Sequence, residues 1–418
     1  MILIEYKQFT INTVIFLTAF VMLIDYHPTK FFALILFIMW AFYQDKKSNL
    51  LIIKDKIAQS FILLFSLFVV ALFWTEDMRN GIKILERESL LLFSPLLIAL
   101  LDRKYLKYIM LSIFFVIFIS QLIYILEYHK IVDLYYKTKD IYHYPFIHRM
   151  YFTTILAFSI GYGILKIDFK KYKTKENLAL LIFIVLSIYT LFIMGGRSGY
   201  INFVVVISII LIYKFKIKNK LNIVLLLFSL LVVSLMFYKL NISETFNAKV
   251  DKTVTSISAF DIKNQAEQED TSKRTSLSCR LEFWYHSSKI IKENPIFGVG
   301  TGDGVVAIKE LLGDDGYKKL KKDCGLNVRR HFNTHNLYIN IVLMFGFFGL
   351  GVLLYFFYLQ LSTAKKYKSV NMMILIIPTI ITMFSQSALF TSHYFISFYS
   401  FVLSIIYLEE RDKIENKK

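Results

Sequence analysis

Apolar runs alternate with short polar segments along nearly the whole chain. The runs suit helices at 10–24, 31–42, 61–74, 90–101, 109–126, 151–165, 178–194, 200–213, 221–238, 336–359, 372–387 and 394–408. A helix needs roughly 20 residues to cross the hydrocarbon core of a bilayer. The shorter runs must therefore extend into flanking polar residues or stop short. The pattern predicts an all-α fold, a polytopic transmembrane helical bundle of about twelve spans. No repeat of these segments is visible. The first run has no small-residue cleavage site after it, so it reads as a retained helix and not a signal peptide.

One stretch breaks the pattern. Residues 239–334 are polar and long enough to fold over a membrane surface, which divides the chain into helices 1–9 (1–238), a large loop (239–334), and helices 10–12 with a tail (335–418). The loop opens on a Ser/Thr/Lys/Asn/Gln/Glu-rich part, 241–275, whose composition suits partial disorder. A helix is expected from Ser276 or Ser278 to Glu293, stopped by Asn294-Pro295. A glycine-rich turn follows, then a short helix over 305–312, with Asp314-Asp315 read as a turn between glycines.

Composition supports the membrane reading. Of 418 residues, 56% are hydrophobic and 19% charged, and the mean hydropathy is +0.53. A soluble chain of this length exposes far more charge. In a soluble protein a net charge of +18 would suggest nucleic acid as a partner. Here the lysines lie in short runs between apolar segments, where they orient helices in the membrane. With the N-terminus inside, the inner segments hold 24 Lys and Arg and the short outer ones 9. Both termini are therefore expected to be cytoplasmic and the large loop to lie on the opposite, periplasmic face. The two cysteines, Cys279 and Cys324, lack metal-pair spacing. Both fall on the outer side, which leaves a disulfide open.

Candidate chemistry gathers on that face. Arg197 sits in the turn Gly195-Gly196-Arg197-Ser198-Gly199-Tyr200. Glycines allow a ligand close to the backbone, and a guanidinium grips phosphate with two parallel hydrogen bonds. A snorkelling arginine against lipid headgroups fits the same position. Arg280 shares a helix face with Phe283 and Trp284. The run Gly298-Val299-Gly300-Thr301-Gly302 superficially resembles a dinucleotide fingerprint, but no strand precedes it; a turn packing the loop helix against the spans fits better. Last comes Arg329-Arg330-His331-Phe332-Asn333-Thr334-His335-Asn336, where a neutral His335 imidazole can take a proton from a hydroxyl. Taken singly, an interfacial histidine reads as structural; the neighbouring cations shift that reading. Arg149 and Arg87 are weaker additions to the set. Walker, Asp-x-Asp and His-Glu-x-x-His patterns are all missing.

At these residues the chain resembles the O-antigen ligase family of membrane glycosyltransferases. The most specific part is Arg280…Trp284…Asn294-Pro295-Ile296-Phe297-Gly298-Val299-Gly300, leading to His335-Asn336…Gly346…Gly349, joined by the Arg197 turn. The resemblance implies an enzyme of the bacterial inner membrane, surrounded by membrane lipid and working without cofactor, metal or nucleotide. Its donor would be a glycan on undecaprenyl pyrophosphate and its acceptor a hydroxyl of lipid A–core. By the same resemblance Arg197 and Arg280 hold the pyrophosphate, the catalytic His335 activates or orients the acceptor hydroxyl, and the anomeric carbon inverts. Arg149, Arg87 and Trp284 join the site as secondary members. An O-antigen or capsule polymerase would use the same donor, though the arginine-to-histidine spacing fits ligases better. A lipid-linked glycan flippase would need no catalysis; the repeated halves and mid-helix charges of transporters are not seen.

Overall fold

The computed structural model describes residues 2–43, 52, 54–132, 147–168, 174–195, 197–214, 276–324 and 333–415. The helices are α1 (Ile2–Val21), α2 (Tyr26–Tyr43), α3 (Lys56–Val70), α4 (Met78–Glu88), α5 (Phe93–Leu100), α6 (Leu106–Tyr128), α7 (Arg149–Lys166), α8 (Lys175–Met194) and α9 (Arg197–Lys214). They continue with α10 (Ser276–Glu293), α11 (Gly304–Asp323), α12 (Leu337–Lys366), α13 (Val370–Thr382), α14 (Ala388–Thr391) and α15 (His393–Glu415). No strand occurs among the described residues. The expected span at 221–238, the polar part 241–275 and the residues Arg329 to Phe332 lie outside them.

Among the described residues, four helical stretches can cross a membrane by length and composition: Lys56–Trp74, Arg103–Tyr128, Lys175–Met194 and Leu337–Lys366. Tyr26–Phe42, Ser198–Tyr213 and Val370–Thr382 are apolar but shorter. At 90–101 a short 3-10 turn, Ser89–Leu92, precedes the eight-residue α5. Pro95 explains the break, because it has no N–H for the Leu91 carbonyl and its ring crowds that carbonyl. On the loop, α10 takes the expected bounds. The following helix runs further than expected, to Asp323, with non-helical backbone at Gly313 (φ 68°, ψ 166°). Asp314 and Asp315 thus open a second helical piece and are not the turn that was expected.

The chain divides into two compact units. The first comprises Met1–Leu67, Leu85–Phe215 and Val352–Lys418. At its heart is α15, buried without interruption from Phe395 to Leu408. Small residues let helices close up: a Cβ on Gly161 would stand 2.3 Å from Val206, and one on Gly199 would stand 2.5 Å from Thr153. Lipid offers no hydrophobic drive between helices, so packing and polar contacts hold such a bundle. Asn202 Nδ2 accordingly donates to Thr154 (3.0 Å) and Thr382 (2.6 Å), and Gln121 donates to Ser187 (2.8 Å). Ion pairs collect at the C-terminal end of α15: Arg103 with Asp412 (2.6 Å) and Glu415 (2.7 Å), Lys166 with Glu409 (3.2 Å), and Arg411 with Asp55 (3.6 Å).

The second unit is Phe68–Ile84 with Lys216–Gly351. A disulfide between Cys279 and Cys324 closes α10 onto α11, over a core that includes Phe283, Ile290, Ile308, Tyr317 and Leu320. The glycine-rich turn then locks into α12. Gly346 (φ 63°) interrupts that helix, which leaves two carbonyls and two N–H groups of its ladder to be satisfied elsewhere. Val299 and Gly300 donate to the Leu343 and Met344 carbonyls (3.0 and 2.9 Å). In return Phe347 and Phe348 donate to the Pro295 and Ile296 carbonyls (2.8 and 3.2 Å). Both glycines are required sterically, since a Cβ on Gly346 would meet Ile296 O at 2.1 Å and one on Gly298 the Met344–Phe345 backbone at 2.5 Å. The packing role expected of this glycine run is what the structure shows.

Candidate functional site

In the second unit the site is built around the turn that enters α12. His335 has a left-handed backbone (φ 56°), a conformation that costs a non-glycine residue energy unless its surroundings enforce it. Here they do. His335 N–H donates to Asn333 Oδ1 (2.9 Å), and Asn340 Nδ2 donates to the same oxygen (3.0 Å). Thr334 N–H donates to Asn340 Oδ1 (3.1 Å). Asn336 caps the helix by accepting from Ile339 N–H (3.1 Å). The imidazole is half-buried, on a backbone with little freedom to move.

The loop helix α10 docks on this turn through Trp284, whose Nε1 donates to the Thr334 carbonyl (2.8 Å). Arg280 lies one turn earlier on the same face of α10 and is half-buried. Trp284 therefore carries the Arg280 face of the helix to the residue next to His335. Sequence reasoning named all three residues; it missed Asn333 and Asn340, whose value depends on a turn that only the fold creates.

Asp303 was also missed. Its carboxylate accepts the N–H groups of Glu76 and Asp77, each at 2.8 Å, just ahead of α4. Burial pushes its pKa up and these two bonds pull it back. Asn80 Nδ2 adds a bond to the Gly302 carbonyl (2.7 Å). The carboxylate holds the Phe68–Ile84 segment on the glycine turn and is thereby committed to structure.

In the first unit Arg149 opens α7 and Arg197 opens α9. Gly196 and the Arg197 side chain lie outside the described residues. The first turns of these helices press together where Gly199 meets Thr153, so that glycine serves helix packing. Gly195, at φ 68°, forms the left-handed C-cap of α8. Arg149 acts electrostatically on Tyr200, three residues into α9.

Arg87 lies in the last turn of α4, on the same unit. Its Nε donates to Glu88 Oε1 (2.9 Å), with the two side chains 15% and 0% exposed. Burial pushes the Glu88 carboxyl up to about 7, although Arg87 pulls it down. Burial and then Arg87 push the His393 imidazole down to about 4, so it is neutral. The Tyr26 ring lies 4.4 Å from that imidazole, and Lys30 sits 4.5 Å above the Tyr26 ring while pairing with Glu86. A cavity of about 510 Å³ beside them is lined by His27, Lys30, Glu86 and apolar side chains including Phe31, Leu34, Phe37 and Leu96. Sequence reasoning named Arg87 but passed over Glu88, a carboxylate at the edge of an apolar run. Among the described residues no group of three or more His, Cys, Asp or Glu is arranged to hold a metal ion.

Comparison with known proteins bears on the second unit and the helices either side of its loop. Residues 182–354 match the family model described as O-Antigen ligase. The matched stretch contains Arg197, Arg280, Trp284, His335 and Gly346 and leaves out Arg87, Glu88 and Arg149. No curated protein matches the chain. By its apolar helices the chain is an integral membrane protein, and its residues 182–354 are similar to the O-antigen ligase family.

Proposed function

We propose that the protein transfers an O-antigen or similar glycan from undecaprenyl pyrophosphate to a hydroxyl of lipid A–core, on the periplasmic face of the bacterial inner membrane. The observation that carries this reading is the Trp284–Thr334 bond, which docks the face of α10 that bears Arg280 on the turn that fixes His335. A cation suited to pyrophosphate and an imidazole suited to a hydroxyl thus belong to one compact unit joined through that bond, inside the matched segment.

In the proposed reaction the acceptor hydroxyl oxygen attacks the anomeric carbon in line with the bond to pyrophosphate. The new glycosidic C–O bond forms as the old one breaks, undecaprenyl pyrophosphate leaves with the electron pair, and the carbon inverts. His335 takes the hydroxyl proton. Arg280 neutralises charge on the departing pyrophosphate, and Arg197 is given the same role on its chemistry. Pyrophosphate leaves readily once its charge is met, so positioning and electrostatics supply most of the rate. The substrates bring their own activation, and ATP is not needed outside the cytosol.

The test is transfer by purified protein from a defined lipid-linked donor to lipid A–core in detergent. Arg280→Ala and His335→Ala are each expected to abolish transfer while the protein still accumulates in the membrane. Wild-type transfer by either variant removes that residue from the mechanism. A gene deletion distinguishes polymerase from ligase, since a ligase mutant stores long lipid-linked polymer and a polymerase mutant stores single repeats. Movement of glycolipid across vesicles without transfer would identify a flippase.

A further inference from the structure

Asn340 is a costly residue in its place. It sits one turn into α12, 5% exposed, beside buried Leu337, Ile341 and Leu343. Asparagine is a poor helix former, because its amide competes for backbone groups. A buried amide that found no partner would cost more still. Leucine would suit an apolar helix better.

The Asn340 amide reaches backwards, out of its own helix and into the turn before it. Oδ1 accepts from Thr334 N–H (3.1 Å) and lies 2.9 Å from the Thr334 hydroxyl. Nδ2 donates to Asn333 Oδ1 (3.0 Å), the oxygen that also accepts from His335 N–H (2.9 Å). Neither amide can be reversed. Thr334 N–H and His335 N–H can only donate, so each must face an oxygen, and the Asn340 nitrogen is then turned toward Asn333 Oδ1. One side chain thus reaches the two halves of the site by different ends. Its nitrogen leads through Asn333 to the left-handed backbone of His335. Its oxygen holds Thr334, whose carbonyl accepts from Trp284 Nε1 (2.8 Å) on the helix that bears Arg280.

We propose that Asn340 is the positioning residue of the site, orienting His335 through Asn333 and seating the Arg280 helix through Thr334. The proposal deepens the transferase reading above and rests on it. All of these residues belong to the second unit.

The experiment sets the transfer assay beside binding of farnesyl pyrophosphate to the full-length protein in detergent, and cuts the two arms one at a time. Asn333→Ala removes the acceptor of the His335 N–H and leaves the Thr334 bonds. It should lower kcat by about a hundredfold, the scale of a misplaced reacting group, with farnesyl pyrophosphate binding unchanged. Trp284→Phe keeps an aromatic ring and removes the donor to Thr334. It should weaken that binding by about tenfold, the scale of one buried carbonyl left unpaired, and raise KM for the donor with kcat nearly unchanged. Asn340→Asp keeps the accepting oxygen but cannot donate, and should repeat Asn333→Ala. Asn340→Leu should show both losses. A merely structural asparagine would lower kcat and binding together in every variant; that pattern overturns the proposal, as does wild-type kcat in Asn333→Ala. Asn333 is half-buried and lies outside the helix, so its test stands even if the Asn340 variants fail to fold. Hydrogen exchange at the His335 amide reads the anchor without substrate. It should be slow in the wild type and faster in Asn333→Ala. That change in a protein that transfers no glycan sinks the transferase reading and spares the anchor. Ordinary transfer with wild-type kcat in Asn333→Ala does the reverse.

Discussion

A carboxylate with no exposure, and with one oxygen lacking a hydrogen-bond partner among the described residues, leaves a mark on stability. The Glu88 carboxyl is pushed up to about 7 from 4.5, chiefly by burial, so between those values the folded chain binds more protons than the unfolded one. Stability linked to Glu88 is full below pH 4.5 and is lost as pH rises through 7. Glu88→Gln removes the dependence. The stability gap between variant and wild type, small at pH 5, should therefore widen in favour of the variant by pH 8, to roughly 3 kcal/mol. Thermal unfolding of both proteins in one detergent across that range checks this, and parallel curves would contradict it. Arg197 gives a second prediction at this scale. If it meets phosphate at two points, Arg197→Lys should lose most transfer activity in the assay above; near-normal activity would mean that charge alone suffices. Arg280, Trp284 and His335 were legible in the sequence because each is a chemically uncommon residue beside apolar runs. Glu88, Asn333 and Asn340 were not, because their roles come from burial and from partners that a linear pattern does not display.

Among the elements, α10 shows how far local rules reach. Its stop at Glu293 is dictated by Asn294-Pro295, since proline disfavours helix in the residue before it, and the structure ends the helix there. The break in α12 is different in kind. Nothing near Gly346 marks an end, and the apolar run reads straight through it; the interruption exists because Pro295–Gly300 supplies the missing hydrogen bonds. Gly346→Ala should be severely destabilising, by about 3 kcal/mol or more, because the new methyl group meets a backbone carbonyl that is itself hydrogen-bonded. The measurement is the yield of folded protein and its unfolding temperature; a fully stable variant would show that the interlock is dispensable. Asp303 likewise holds two N–H groups more than 200 residues earlier, a relation that no local pattern contains.

For the whole molecule, alternating apolar and polar segments identified an all-helical membrane protein, which the described helices bear out, because that pattern follows from the solvent around the chain. The number of spans was less legible. A proline can split an apolar run, as at Pro95, and a run can be buried inside the bundle, as in α15. The disulfide speaks to compartment: such bonds persist where the surroundings are oxidising, in keeping with the proposed periplasmic loop. Cys279 and Cys324 are 45 residues apart in sequence, and closing a loop of that size is worth about 4 kcal/mol in the chain-entropy description. Cys279→Ser, or reductant on the wild type, should make the α10–α11 pair far more sensitive to protease, whereas unaltered digestion would show that packing alone holds it. The exchange of backbone partners at Gly346 also orders events during synthesis. A ribosome makes residues 295–300 before residues 343–348, so the earlier segment must wait, with its own amides unmet, until the later helix arrives. That helix in turn cannot settle in hydrocarbon with two amides and two carbonyls bare. On the proposed topology, translocation of one and insertion of the other must finish as a single step, and a nascent chain stalled between the two points would hold neither in place.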